Sequence, residues 1–90
     1  MGILMKANGD VSEVYPQERK NTFSLKEMQG FVGGYIEIVS VGQKYLVLNE
    51  EGKLNGLEIN LKATEIFQKH YGQTDVIVGD VLLIDSDEVE

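Results

Sequence analysis

The sequence predicts an α+β domain: a mainly antiparallel sheet of about five strands with two helices, in the order β-β-α-β-β-α-β. Three observations carry this reading. Asn8-Gly9 stands between two apolar runs, the strongest short signal for a hairpin. Ser24 and Glu27 form the S-x-x-E capping box ahead of an apolar helical stripe. Val76–Ile84 is almost continuously apolar apart from Gly79-Asp80, as a covered interior strand is.

Taken in order, Gly2–Ala7 and Asp10–Tyr15 read as the strands of the first hairpin, joined through a type I′ turn. Pro16 ends the second strand or confines it to an edge, because proline lacks the donor that a ladder needs. Residues 17–21 are polar and read as a loop. With Ser24 as N-cap, Phe23 and Met28 take the two positions of a hydrophobic staple. Leu25, Met28 and Val32 share one face of the first helix, with Phe31 beside them. Gly30 weakens that helix by roughly 1 kcal/mol relative to alanine, through close packing or simple tolerance, and Gly33 suits its left-handed end. Tyr35–Val41 and Tyr45–Asn49 form a second hairpin across Gly42-Gln43, expected at the centre of the sheet. Ile36, Ile38, Leu46 and Leu48 are expected to point inward, and Tyr35, Val39, Tyr45 and Val47 to share a wetter face.

Residues 49–57 are irregular, with Gly52 and Asn55-Gly56 as turn signals. Asn60 caps a second helix, Leu61–Tyr71, whose apolar stripe is Ala63, Ile66, Phe67, His70 and Tyr71 and whose stop is Gly72. Val76–Ile84 then pairs with Gly2–Ala7. The layout is one sheet with helices on one face, in a single domain spanning 1–90, with an acidic, frayed tail from about 86.

Composition bounds the function. A hydrophobic content of 42% and a charged content of 26% are ordinary globular values, which argues against disorder. There is no cysteine, so disulfides, thiolate metal sites and a cysteine nucleophile are excluded. The apolar runs are too short to span a membrane, and no leader is visible. The formal net charge of -7 repels phosphate backbones, so nucleic acid is an unexpected partner. The charge serves solubility, or, more sharply, a carboxylate surface that mimics DNA.

Catalytic patterns are not evident. His70 lies at the end of a helical stripe, where a structural histidine is the simpler reading than a base. The carboxylates match no calcium loop, and no metal or cofactor is expected. Gly30-Phe31-Val32-Gly33-Gly34 runs from helix to strand, the reverse of a phosphate cradle. Two regions hold candidate binding residues. Asn49, Glu50, Asn55 and Asn60 make the 49–60 segment denser in polar groups than a connector needs, the alternative being turn and cap chemistry. Tyr35 and Tyr45 are expected side by side as a platform, or as a cross-strand pair that stabilises the sheet.

Gln29-Gly30-Phe31-Val32-Gly33-Gly34-Tyr35-Ile36-Glu37, then Asn49–Leu57, then Asn60 with Ala63-Thr64, then Asp75–Val81, resemble a family of small proteins from phages, plasmids and their bacterial hosts. The family is known only as domain of unknown function 3846. The likeness covers nearly the whole chain. It departs at Glu58-Ile59, where the family pattern carries a proline. The resemblance implies a cytoplasmic accessory protein of a mobile element and implies no activity. The expected function is a non-enzymatic interaction module that binds a host or element-encoded protein, in an anti-defence or regulatory role. The alternative is a small-molecule or nucleotide binder using the 49–60 loop. Self-association is an open expectation.

Overall fold

A computed structural model describes residues 1–17 and 20–90. The loop reading of 17–21 therefore lies partly outside the described residues, at Glu18 and Arg19. The strands are β1 (Gly2–Met5), β2 (Val11–Val14), β3 (Ile36–Val41), β4 (Lys44–Asn49) and β5 (Val81–Asp85). The helices are α1 (Leu25–Val32) and α2 (Leu61–Tyr71). The sheet is antiparallel throughout, in the order β2-β1-β5-β4-β3. The fold class and element order are those predicted.

The layering differs from the expectation. The helices cover opposite faces of the sheet. Val47, Leu82 and Ile84 pack with Phe23, Met28 and Val32 on the α1 side. Met5, Val41, Leu46, Leu48 and Val81 pack with Ala63 and Ile77 on the α2 side. The inner strands are thus apolar on both faces, the usual mark of a doubly covered sheet.

The central strand is β5, flanked by β1 and β4, and the second hairpin forms one side of the sheet with β3 at the edge. Its two-residue turn pairs Val41 with Lys44, so Val39 lies opposite Leu46 and Ile38 opposite Val47. Side chains alternate along a strand, so Ile36 and Ile38 face α1 while Leu46 and Leu48 face α2. The expected common wet face of Tyr35, Val39, Tyr45 and Val47 does not exist: Val39 packs in the α2 cluster and Val47 is fully buried in the α1 cluster.

The first turn is also corrected. The Gly9 N–H donates to the Lys6 carbonyl and the Lys6 N–H to the Asp10 carbonyl, closing a three-residue loop with Gly9 at φ +99°. That is the hairpin with a glycine bulge rather than a two-residue I′ turn. The apolar run Val76–Ile84 is only half strand. Val78 makes an isolated bridge to Ile59, and Gly79, at φ +79°, turns the chain before β5 begins at Val81.

The caps are as predicted. Ser24 Oγ accepts from the Glu27 N–H at 3.1 Å and Glu27 Oε1 accepts from the Ser24 N–H at 3.0 Å. Gly33, at φ +80°, ends α1. Gly30 is exposed, with nothing near the place a Cβ would occupy, so close packing does not explain it. Gly30→Ala is expected to raise stability by about 0.5–1 kcal/mol, read as a higher urea midpoint at unchanged slope.

Residues 86–90, expected as a frayed tail, make contacts with the body of the domain. Ser86–Glu88 is a 3-10 turn, and Val89 bridges Phe23. The Phe23 N–H donates to the Glu88 carbonyl at 2.7 Å and the Glu90 N–H to the Phe23 carbonyl at 3.1 Å. Glu88 is only 8% exposed; its carboxylate accepts from the Asp85 N–H at 2.9 Å.

Three surface carboxylates, Glu27 half-buried and Asp75 and Asp85 exposed, are held below their ordinary values. The Ser24 and Gln17 backbone N–H groups lower Glu27, the Lys53 ammonium and the Val76 N–H lower Asp75, and the Lys44 ammonium lowers Asp85. A carboxylate lowered by folding adds stability that is present above its unfolded value and lost as pH falls through its folded one. The urea midpoint is therefore expected to fall on acidification below about pH 4.5, with Glu27→Gln making that fall shallower.

Candidate functional site

The 49–60 segment forms a corner between the two helical layers, and its asparagines build it. Asn49 ends β4 and is 7% exposed. Its Nδ2 donates to the Val32 carbonyl at 3.2 Å, and its Oδ1 accepts from the Glu51 N–H at 2.9 Å. It thus ties the end of α1 to the start of the loop. Asn60 is 1% exposed. Its Oδ1 caps α2 through the Ala63 N–H at 3.1 Å, while its Nδ2 donates to the carbonyls of Met5 at 2.9 Å and Gly79 at 2.8 Å. Gly52 lies against Val78 and the Asn49 carbonyl, so tightly that a Cβ would sit 2.9 Å from Val78 Cγ2. Thr64 adds a further pin, its hydroxyl accepting from the Ile77 N–H at 2.9 Å.

Two concavities flank this corner, and Asn49 lines both. On the α1 side is an open groove of about 520 Å³, lined by Lys26, Gln29, Gly30, Gly33, Gly34, Tyr35, Glu51 and Asn55. It runs to the C-terminal end of α1, whose last turn carries no basic residue. The helix dipole is negative there and Glu51 adds to it, so that end of the groove repels phosphate, while Lys26 is the cation of the lining. On the α2 side is a smaller slot of about 180 Å³. Its apolar lining is Val39, Leu48, Leu54, Phe67, Val76, Ile77 and Val78. Glu37, Glu50 and an Asp75–Lys53 ion pair bring charge to its walls. The 73–78 stretch is held by Gln68 Nε2, which donates to the Asp75 carbonyl at 3.1 Å.

The site residues named from sequence divide into three groups. Glu50, Asn55 and Tyr35 are exposed around the corner. Asn49 and Asn60 are at the corner but buried, and their polar atoms are spent on the loop and the α2 cap. Tyr45 is elsewhere: it pairs with Ser40 and Ile84 and is half-buried in the α1 cluster, whereas Tyr35 precedes the pair Ile36–Asn49 at the far end of the hairpin. The tyrosine platform therefore does not form. Sequence reasoning missed Glu37, Leu54, Phe67 and Val76. In the sequence Glu37 reads only as a mid-strand carboxylate that keeps one face of the hairpin partly wet.

His70 is exposed, its Nδ1 3.3 Å from the Ile66 carbonyl of its own helix. Among the described residues no group of three or more His, Asp or Glu side chains gathers to hold a metal ion, and no helix is long and apolar enough to cross a membrane.

The fold is that of a small α+β protein whose 49–60 corner is held by buried asparagine hydrogen bonds and flanked by two concavities. The sequence pattern of the family described as Domain of unknown function (DUF3846) matches residues 1–90, the whole chain, and the protein belongs to that family. No curated protein and no solved structure matches it.

Proposed function

We propose that this chain is a non-enzymatic docking module of a phage or mobile genetic element, acting in the cytoplasm, that captures a protein partner at the 49–60 corner. The observation that carries the reading is a pair of exposed apolar anchors on a fixed scaffold. Tyr35 is 67% exposed and Leu54 is 86% exposed, one on each side of a loop locked by Asn49 and Asn60. Large apolar side chains held out by a preordered loop bind at low entropic cost, and tyrosine is enriched among residues that dominate interfaces. The mobile-element setting rests on the family resemblance.

The experiment is affinity capture from host cells with tagged protein and a Tyr35→Ala, Leu54→Asp double variant. The proposal expects a specific partner with the parent chain and a strong loss with the variant at an unchanged melting temperature. Equal recovery by both chains contradicts it.

A second reading is favoured by one observation, the size of the α1-side groove. About 520 Å³ lies within the range of small-molecule sites. Its electronegative end suits a ligand rich in donors rather than a nucleotide. Native mass spectrometry of protein purified from cells tests it, and an apo mass with no thermal shift across a ligand panel removes it.

A further inference from the structure

The slot on the α2 side opens beside an unpaired sheet edge, and the two together describe a ligand. Among the described residues β3 has a neighbour on one side only. Its pairing with β4 fixes which backbone groups remain free. A two-residue turn makes Val41 and Lys44 a hydrogen-bonded pair, and such pairs recur at every second residue. Val39 and Glu37 therefore bond to β4, and the Glu50 N–H donates to the Tyr35 carbonyl at 2.9 Å in the same phase. The N–H and C=O groups of Ile36, Ile38 and Ser40 point away from the sheet. The Tyr71 hydroxyl donates to the Ser40 carbonyl, which marks the end of the free stretch. Charges, prolines and bulges usually protect such an edge; β3 carries Glu37 alone and leaves Ile38 exposed.

The slot lies on the face to which Glu37 and Val39 point. Its volume of about 180 Å³ is below that of drug-sized sites and suits one side chain. Most of the lining is apolar, and it includes Glu37 and Glu50, neither of which has a cationic partner among the described residues. The third carboxylate, Asp75, is already neutralised by Lys53. An aliphatic stem ending in a cation satisfies both parts: the stem covers Val39, Phe67 and Val76, and the head meets two carboxylates.

We propose that β3 accepts an extended segment of a partner protein as a sixth strand, and that the segment places a lysine or arginine in the slot between Glu37 and Glu50. This rests on the docking reading above and names the chemistry of the partner. The residue opposite Ile38 exchanges main-chain bonds with it, and the residues opposite Glu37 and Val39 turn their side chains toward the slot. Main-chain pairing supplies affinity and the slot supplies specificity. The net charge of -7 favours approach of a basic segment.

The test is a random-peptide display selection against the intact chain, followed by amide mapping of the best synthetic peptide. Enriched peptides are expected to carry a lysine or arginine flanked at alternate positions by β-branched residues, and to shift the amides of Ile36, Ile38 and Ser40. Norleucine in place of the basic residue, or Glu37→Gln with Glu50→Gln in the protein, is expected to weaken binding about tenfold or more. Methylating a peptide nitrogen that faces β3 is expected to abolish binding, and methylating the next nitrogen along, which faces away, to leave it intact. Peptides without basic residues, perturbations confined to the α1-side groove, indifference to methylation, or failure to select any peptide would each overturn the proposal. The partner-capture experiment reads the docking function separately, because a partner lost with Tyr35→Ala, Leu54→Asp but unaffected by Glu37→Gln, Glu50→Gln sinks only the strand-addition chemistry.

Discussion

Asn60→Ala is expected to cost about 3 kcal/mol or more and to lower the thermal midpoint by roughly 12–24 °C. The side chain does three jobs from a position that is 1% exposed. Its carbonyl oxygen caps α2, a role worth about 1 kcal/mol. Its amide satisfies the buried carbonyls of Met5 and Gly79, and leaving each of those unpaired costs about 1–3 kcal/mol. Asn60→Asp separates the jobs. It keeps the capping oxygen but turns both donors into an acceptor, so at neutral pH a carboxylate faces two carbonyls. Burial and those carbonyls raise its folded pKa above the unfolded value. The penalty of Asn60→Asp should therefore shrink as pH falls and the carboxyl becomes a donor. Chemical denaturation of both variants at neutral and acidic pH checks the account; an Asn60→Ala midpoint within a few degrees of the parent contradicts it.

Phe23→Ala is the second large effect, at about 3–5 kcal/mol, a substantial share of the roughly 5–15 kcal/mol typical of whole domains. The ring is fully buried and meets Phe31 edge-on at 6.1 Å, and it lies close enough to Gly2 that a Cβ there would sit 3.2 Å from it. Its backbone holds the tail through Glu88 and Glu90. The cavity should thus loosen two places at once. Hydrogen exchange is expected to show faster exchange in residues 86–90 as well as in α1, with Phe23→Leu retaining tail protection. An undisturbed tail in Phe23→Ala would mean that the backbone bridge holds the tail without the ring.

The helices were legible because local chemistry sets their ends. The capping box, the glycine at the end of α1, the Asn60 cap and the extent Leu61–Tyr71 follow from residue type and spacing, and each is found where it was expected. The faces were not legible. When both sides of a sheet are covered, apolar residues occupy both phases of a strand and alternation carries no information. Only the register set at Gly42-Gln43 separates Ile36 and Ile38 from Leu46 and Leu48, and a shift of one residue exchanges the faces. The same register parts Tyr35 from Tyr45.

The candidate site was legible as a segment and illegible as a surface. The density of asparagine and glycine in 49–60 marked the corner. Asn60 reaches Met5 across 55 residues of sequence, a partnership that no local pattern reports. The slot joins Glu37 on β3, Phe67 on α2 and Val76 before β5, three places that only the fold brings together. The tail carried a readable clue in Val89, an apolar residue inside an acidic run that bridges to Phe23.

The most direct measurement of the docking account is site-specific photocrosslinking in living cells. A benzophenone amino acid is placed in turn at Tyr35, Leu54 and Val11, the last an exposed apolar residue on the opposite edge strand. The account predicts the same partner adduct from positions 35 and 54 and none from position 11. Adducts from position 11 alone, with 35 and 54 silent, would place the partner on the other edge and contradict it.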